Sequence, residues 1–586
     1  MDYKLILFAA VTGLCSCSEK SERPNVLVVL ADDQGYGDFS CHGNPVIKTP
    51  NLDIMHENSI RLTEFHVAPV STPTRGEFLT GRDALNNGAW SWGYGREVID
   101  PNVPTIANIF ADAGYTTAHF GKWHLGDNYP FRPQDKGFQE SIRFGGAATH
   151  QSADYWQNDN FDDFYKMYDG SIKQFKGYCT DVWFDLTMNF MSKCQDEKQP
   201  FFIYLPTNAA HSPQYVEERY SEPYKDQKLK GLPDFFGMIS NLDENMGRLN
   251  DFLKKEGLYE NTIVIYFTDN GGTTGVKLFN GNRRGHKHQF YDGGHRAACF
   301  VQWPAGGLLK SYDLEELTHS QDILPTLLDL CDIETSKELR ESFDGFSLAD
   351  AMRDKSAKLE DRKIVVQFST LERPEYGVAA VLWKNWRLVH NNELYDIVND
   401  PLQNHDISDE NPDVMKQMQD HYAQWWEGNQ YQANAFHRVI AGGDENPMTI
   451  TCFDWTTPNS KFNRTQQSTI WQGQRMNGTW WLSAEEAGEY EIRLSRYPEE
   501  ADCAISAAYP ARQREFVKFD ECVALPIKSV EMLINDTQYV ANVGAEDRYI
   551  SFKVTLPKGD FNLRTAFCDA AGEEICGAYY ARIERL

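Results

Sequence analysis

The chain has 586 residues, of which 41% are hydrophobic, 13% aromatic and 24% charged, enough apolar mass for several cores and far from a disordered composition. Its formal net charge of −28 excludes broad, nonspecific binding to nucleic acid or other polyanions, so an anionic ligand needs a local basic pocket. No internal repeat or low-complexity run interrupts the sequence.

The first seventeen residues, MDYKLILFAAVTGLCSC, carry one lysine and then an apolar run too short to span a bilayer comfortably, the pattern of an export signal. Their ending, Leu14-Cys15-Ser16-Cys17, resembles the lipobox of bacterial lipoproteins, which implies cleavage before Cys17 and lipidation of that residue. An ordinary signal with two incidental cysteines is the alternative. Residues 18–23 read as a polar tether, in which SEKSE resembles the acidic export tag of surface lipoproteins in some Gram-negative bacteria. The expected location is the bacterial outer membrane, at the cell surface or facing the periplasm. The lipid is the only expected anchor, since no later segment is long and apolar enough for a membrane helix. Ten cysteines follow the signal, none in a close zinc-ligand pair. Five of them crowd the last third, where one or two disulfides are expected with their pairing open.

Residues 24–362 alternate buried-strand patterns with helical ones. NVLVVLADD, TTAHFGKWH, FFIYLPTNAAH and NTIVIYFTDNGG read as strands, and TIANIFADAG and ISNLDENMGRLNDFLKKEG as helices between them. The pattern predicts an α/β domain built on a large mixed sheet flanked by helices, with ligands gathering beyond the carboxyl ends of the strands. Residues 363–438 shift to the short strands KIVVQF, VAAVLW and WRLVHN, then ELYDIVNDP and a helix near PDVMKQMQDHYAQWW. They predict a smaller antiparallel-sheet subdomain. Residues 439–586 are rich in strands and turns and predict a C-terminal β-sandwich-like module, in which Trp480 and Trp481 read as packing residues ahead of sugar-binding ones.

All four strands of the large sheet end in chemically capable residues. Asp32 and Asp33 end the first, and Asp269 and Asn270 end the last. Either pair alone reads as a capped turn. Together on one rim they favour a hard divalent cation, calcium or magnesium, which takes carboxylate and amide oxygens. FGKWHLG places Lys122 and His124 on one side of an extended segment, NAAHSP supplies His211, and RRGHKHQFYDGG supplies Arg284, His286, Lys287 and His288. A lone histidine or lysine here reads as surface or structural. Convergence with the metal pairs makes a cationic cup for an oxyanion. The stretch PVSTPTRGEFLTG, with Ser71, Pro73 and Arg75, reads by itself as a proline turn opening a helix.

The ordered set LADDQGYGD, STPTRGEFLTGR, GYTTAHFGKWHLG, HSP, TDNGG and RGHKHQFYDGGHR resembles the type I formylglycine-dependent sulfatases of the alkaline phosphatase superfamily, over about residues 24–430. Ser71 matches the position that a maturation enzyme oxidises to formylglycine, while Pro73, Thr74, Arg75 and Leu79-Thr80-Gly81 complete that signature. The serine form implies an anaerobic radical maturation enzyme as a partner. The resemblance further implies that Asp32, Asp33, Asp269 and Asn270 hold calcium together with an oxygen of residue 71. Arg75 would support the aldehyde hydrate, Lys122 and Lys287 would bind sulfate oxygens, His124 would be the base that drives collapse of the sulfated hydrate, and His211 the acid that protonates the leaving sugar oxygen.

The insertion GGAATHQSADYWQNDNFDDFY resembles one in bacterial arylsulfatase-like members that act on sulfated carbohydrates. His150, Asp154 and Asp159 within it are candidates for sugar hydroxyls, with loop capping as the alternative, and Arg284 is a further candidate substrate contact. The expected activity is exo-acting hydrolysis of carbohydrate sulfate esters, on host mucin-type glycans or glycosaminoglycan fragments. Two rivals are a phosphate or phosphonate ester hydrolase of the same superfamily, and a sulfated-glycan-binding protein whose Ser71 is never converted.

Overall fold

The computed structural model describes residues 23–93, 95–370, 373–456 and 466–586. The signal, the tether through residue 22 and Cys17 lie outside them. Among the described residues no helix is long and apolar enough to cross a membrane.

A ten-stranded mixed sheet forms the first unit. Its middle is four parallel strands: β1 (Asn25–Ala31), β2 (Thr116–Gly121), β3 (Phe201–Pro206) and β4 (Thr262–Thr268), ordered β4-β1-β3-β2. The continuous apolar run of β1 suits burial on both faces. Leu27, Val29 and Ala31 enter a core shared with the helices Cys179–Asp196 and Leu232–Lys255. Val26, Val28 and Leu30 enter a second core on the other face, with the helices Ile106–Asp112 and Ile323–Leu330. Because the four strands run parallel, their carboxyl ends deliver the residues after them to one rim.

The helix α1 (Ser71–Thr80) lies wholly buried against that rim. Pro73 falls in its first turn, where a missing N–H costs nothing. Gly81 ends it in the left-handed conformation at φ 68°, its N–H donating to the Glu77 carbonyl at 2.8 Å. Gly121 closes β2 at φ 123°, and a Cβ there would stand 2.1 Å from the Pro206 carbonyl oxygen. Only glycine lets the ends of β2 and β3 approach so closely just before Lys122.

Residues 364–396 form the expected antiparallel four-stranded sheet, covered on one side by the helix Pro412–Asn434 through Met418 and Tyr422. Its other side packs on Phe290 and on Val70, the residue before α1. From Val439 onward, a six-stranded sheet and a four-stranded sheet enclose one core that includes the fully buried Trp480. The pairing is antiparallel except for Val439–Ala441 beside Thr479–Ala484. Trp480 is core, as expected, whereas Trp481 is partly exposed, tilted against Phe436 and covered by the Arg438 guanidinium. The expected disulfides are not formed among the described cysteines, and Cys452, Cys522 and Cys576 are buried in the apolar core of this module.

The C-terminal module is built onto the first unit. Gln467 donates to the carbonyls of Gln151, Asp154 and Tyr155, and Arg514 donates to Asp159 at 3.1 Å, Asp163 at 2.8 Å and the Phe161 carbonyl at 2.8 Å. Asp159 is fully buried and Asp163 nearly so, so Arg514→Ala leaves two facing carboxylates without their cation. Burial, with Asp159 beside it, already raises the Asp163 pKa to about 7, so protonation relieves part of the cost. The expected loss is about 3 kcal/mol, at the low end for a broken buried pair. Denaturant unfolding measures it, and a loss below about 1 kcal/mol contradicts this account.

Candidate active site

Asp32 and Asp33 follow β1, Asp269 and Asn270 follow β4, Lys122 and His124 follow β2, and His211 lies five residues beyond β3. All but His211 are buried. Ser71, at the first position of α1, donates from its Oγ to Asp32 Oδ1 at 3.2 Å and to Asn270 Oδ1 at 3.4 Å. The Asp33 amide donates to Asp269 Oδ1 at 3.1 Å, and the Asn270 side-chain amide donates to Asp33 Oδ1 at 3.1 Å. Three carboxylates, one amide and one hydroxyl therefore face a common point. An all-oxygen donor set with three negative charges fits a hard divalent cation and is a poor match for zinc or copper.

The cations that frame this point are equally fixed. Arg75, one turn along α1 from Ser71, donates to Asp269 Oδ2 at 3.1 Å and to Tyr204 Oη at 3.2 Å, and lies 3.7 Å from Asp32 Oδ2. Lys122 pairs with Asp32, and Lys287 pairs with Asp33. Burial would push both aspartates up, but Lys122, His211 and Arg75 hold Asp32 below its ordinary value, and Lys287 and His211 do the same for Asp33. Burial lowers the Lys122 pKa, while for Lys287 the attraction of Asp33, Asp32 and Asp269 outweighs burial and raises it.

Two histidines complete the rim. Both ring nitrogens of His124 lie within 3.2 Å of the Thr72 hydroxyl, and burial, then Lys122 and Arg75, drive its pKa well below the usual value. It is a neutral imidazole able to accept a proton. His211 sits 3.9 Å from Asp33 Oδ2, partly open, its pKa lowered by burial against the pull of Asp33. Asp33 and His124 hold positive φ angles of 62° and 57°, a conformation costly for residues with a Cβ and common where geometry is enforced for function.

The other substrate candidates are placed differently. Asp154 and Asp159 are not free for sugar hydroxyls. Asp154 is buried and accepts from Asn158 and from the amides of His150 and Tyr155, and Asp159 is bound by Arg514 and the Phe516 amide. Loop capping and the domain junction use both. His150 packs among the rings of Tyr215, Trp471 and Phe519 with its Nε2 unpartnered. Arg284 donates to the Gln403 carbonyl at 2.5 Å and stacks over Tyr291 at 3.7 Å, away from the oxygen cluster's own contacts. Sequence reasoning missed Thr72 and Tyr204, which orient His124 and Arg75, and Phe453 of the C-terminal module, whose ring centre is 6.5 Å from that of His124. Tyr204 sits in an apolar strand and carries no signal beyond packing.

The family model described as Sulfatase matches residues 24–333, more than half of the chain. The chain belongs to the sulfatase family, in the alkaline phosphatase superfamily. Mouse arylsulfatase J is 31% identical over 353 residues, covering 56% of this chain and 55% of the relative. The N-acetylgalactosamine-6-sulfatase of the dog is 27% identical over 385 residues, covering 62% of this chain and 72% of the relative. Among solved structures, a complex of Ps i-CgsB with k-i-k-neocarrahexaose superposes with a TM-score of 0.63 at 24% identity, covering 71% of this chain and 95% of that one. This last likeness shows the fold. The match to arylsulfatase J spans little more than half of that relative's length. The sulfatase family match ends at residue 333, and the Ser71 and Asp32 to Asn270 cluster lies wholly inside it.

Proposed function

We propose that this sulfatase-family chain hydrolyses sulfate esters of carbohydrates at chain ends, using a formylglycine made from Ser71 by a radical maturation enzyme and a calcium ion held by Asp32, Asp33, Asp269, Asn270 and residue 71. The observation that supports it best is the convergence of an all-oxygen donor set, three fixed cations and two histidines on Ser71. Asp32, Asp33, Asp269 and Asn270 would hold the cation, which would supply charge to polarise sulfate oxygens and acidify a hydroxyl of residue 71; the hydrate of the residue's aldehyde has two hydroxyls, one for attack and one for the release of sulfate.

The protein's own groups do the rest. Lys122 and Lys287 stand where they can share their donors between the carboxylates and the oxygens of an incoming sulfate. Arg75 locks Asp269 and the rim of α1, so charge gathering at residue 71 meets a preorganised cation. His124, neutral and beside Thr72, accepts the proton that leaves residue 71. His211, partly open and 3.9 Å from Asp33, would be the acid that protonates the leaving sugar oxygen. The 27% identical relative is by name an N-acetylgalactosamine-6-sulfatase, which supports a carbohydrate substrate.

A screen of defined sulfated mono- and disaccharides against matured protein tests the reading. Release of sulfate from at least one sugar, lost on chelation and restored by calcium, is expected. Cleavage of aryl or lipid sulfates alone, or of phosphate esters in preference, rejects it. We also place the protein at the outer membrane through a lipid on Cys17. Cys17→Ser is then expected in the soluble envelope fraction, and retention in the membrane fraction argues against the anchor.

A further inference from the structure

Away from the oxygen-lined site, the turn after β1 brings together three side chains of a different chemistry. Cys41 and His42 lie in a turn closed by the Gly43 amide donating to the Ser40 carbonyl at 2.9 Å. His56 projects from the last turn of the helix Pro50–Glu57. The turn is fastened to that helix: Ser40 Oγ donates to Asp53 Oδ2 at 2.6 Å and the Cys41 amide donates to Asp53 Oδ1 at 3.0 Å. The Cys41 Sγ and one ring nitrogen from each histidine lie within 4.8 Å of one another.

We propose that Cys41, His42 and His56 form a second metal site, for a zinc or copper-class transition ion rather than calcium. One thiolate and two imidazoles are the donors such ions select, whereas calcium and magnesium take oxygen. His42 Nδ1 lies 2.7 Å from the Tyr36 carbonyl, and Tyr36 stacks on the same ring with centroids 4.1 Å apart. That contact fixes the tautomer and leaves Nε2 for the ion, the outer-shell arrangement usual for a ligating histidine. The rings of His42 and His56 meet edge to face at 5.8 Å and both pack on Phe300, so neither turns freely. A cavity of about 460 Å³ opens beside all three ligands, giving an entry path and room for water as a fourth ligand. Arg61, a cation on its wall, is paired with Asp313. Binding displaces the Cys41 thiol proton to solvent, forms one metal–sulfur bond and two metal–nitrogen bonds, and changes no oxidation state.

Cobalt(II) titration of the full mature protein, with calcium in excess to occupy the oxygen site, tests the proposal. A thiolate-to-cobalt band in the near ultraviolet is expected at one ion per chain, displaced by zinc. Cys41→Ser should abolish the band, and His56→Gln should weaken zinc binding by more than about tenfold, since even outer-shell changes cost ten- to a hundredfold. His42→Gln provides the same test should the His56 variant fail to fold, which its melting curve shows. No band in the unaltered protein, or a band that survives Cys41→Ser and so arises from another cysteine, overturns the site. Sulfate release plays no part in the readout, so failure here leaves the hydrolase reading untouched.

Discussion

Ser71→Ala abolishes sulfate release, lowering kcat by at least about 10⁴-fold on every sulfated sugar, while the protein stays folded. The hydroxyl it removes faces Asp32 and Asn270 at once, and no other described side chain in the cluster carries an oxygen that can become an aldehyde hydrate. Its two hydrogen bonds are long, so the stability change stays within about 1 kcal/mol. Peptide mass spectrometry of protein from the native host is expected to find residue 71 lighter by two hydrogens. Activity retained in Ser71→Ala ends the nucleophile reading. Unmodified serine in active native protein ends the formylglycine reading alone.

His211→Ala separates the leaving-group proton from the rest of the chemistry. On sugar sulfates, whose alkoxide leaves poorly, the loss of kcat/KM should be about 10²- to 10⁴-fold, the usual value of one positioned proton transfer. On an aryl sulfate with an acidic phenol, which leaves without help, it should be less than about tenfold. His211 is 3.9 Å from Asp33, so a merely structural role, acting through the metal carboxylates, would depress both substrates alike. Equal losses therefore reject the assignment. The remaining rate on the aryl substrate also reports that the oxygen cluster is intact in the variant.

The rim was legible in the sequence because β1 and β4 are long apolar runs that stop abruptly at Asp32-Asp33 and Asp269-Asn270, and parallel strands of one sheet must present those stops together. The short strands of residues 364–396 and the sandwich beyond Val439 were legible for the same reason, a pattern of period two bounded by turns. What periodicity does not carry is which distant element lies over a loop. Asp154 and Asp159 sit in a polar, aromatic-rich stretch that looks like an open binding loop. They are closed because Gln467 and Arg514, more than 300 residues later, cover it. Tyr204 and Phe453 likewise look like core residues in any window of sequence, and only the folded chain puts them beside Arg75 and His124. The cysteine count suggested bridges, but the sulfurs were spent on apolar packing.

The fastening of the last module to the insertion has a meaning for how such a protein changes over generations. A module strung on a linker can be lost, swapped or duplicated without penalty. Here the partner acids Asp159 and Asp163 belong to the sulfatase half, and their cation Arg514 belongs to the other. Recombination that brings in a different sandwich strands two carboxylates in the interior unless it also rewrites the loop that bears them. A replacement module must therefore bring its own cation for Asp159 and Asp163, and the loop that carries His150 is held by a part of the chain that the sulfatase family match does not reach.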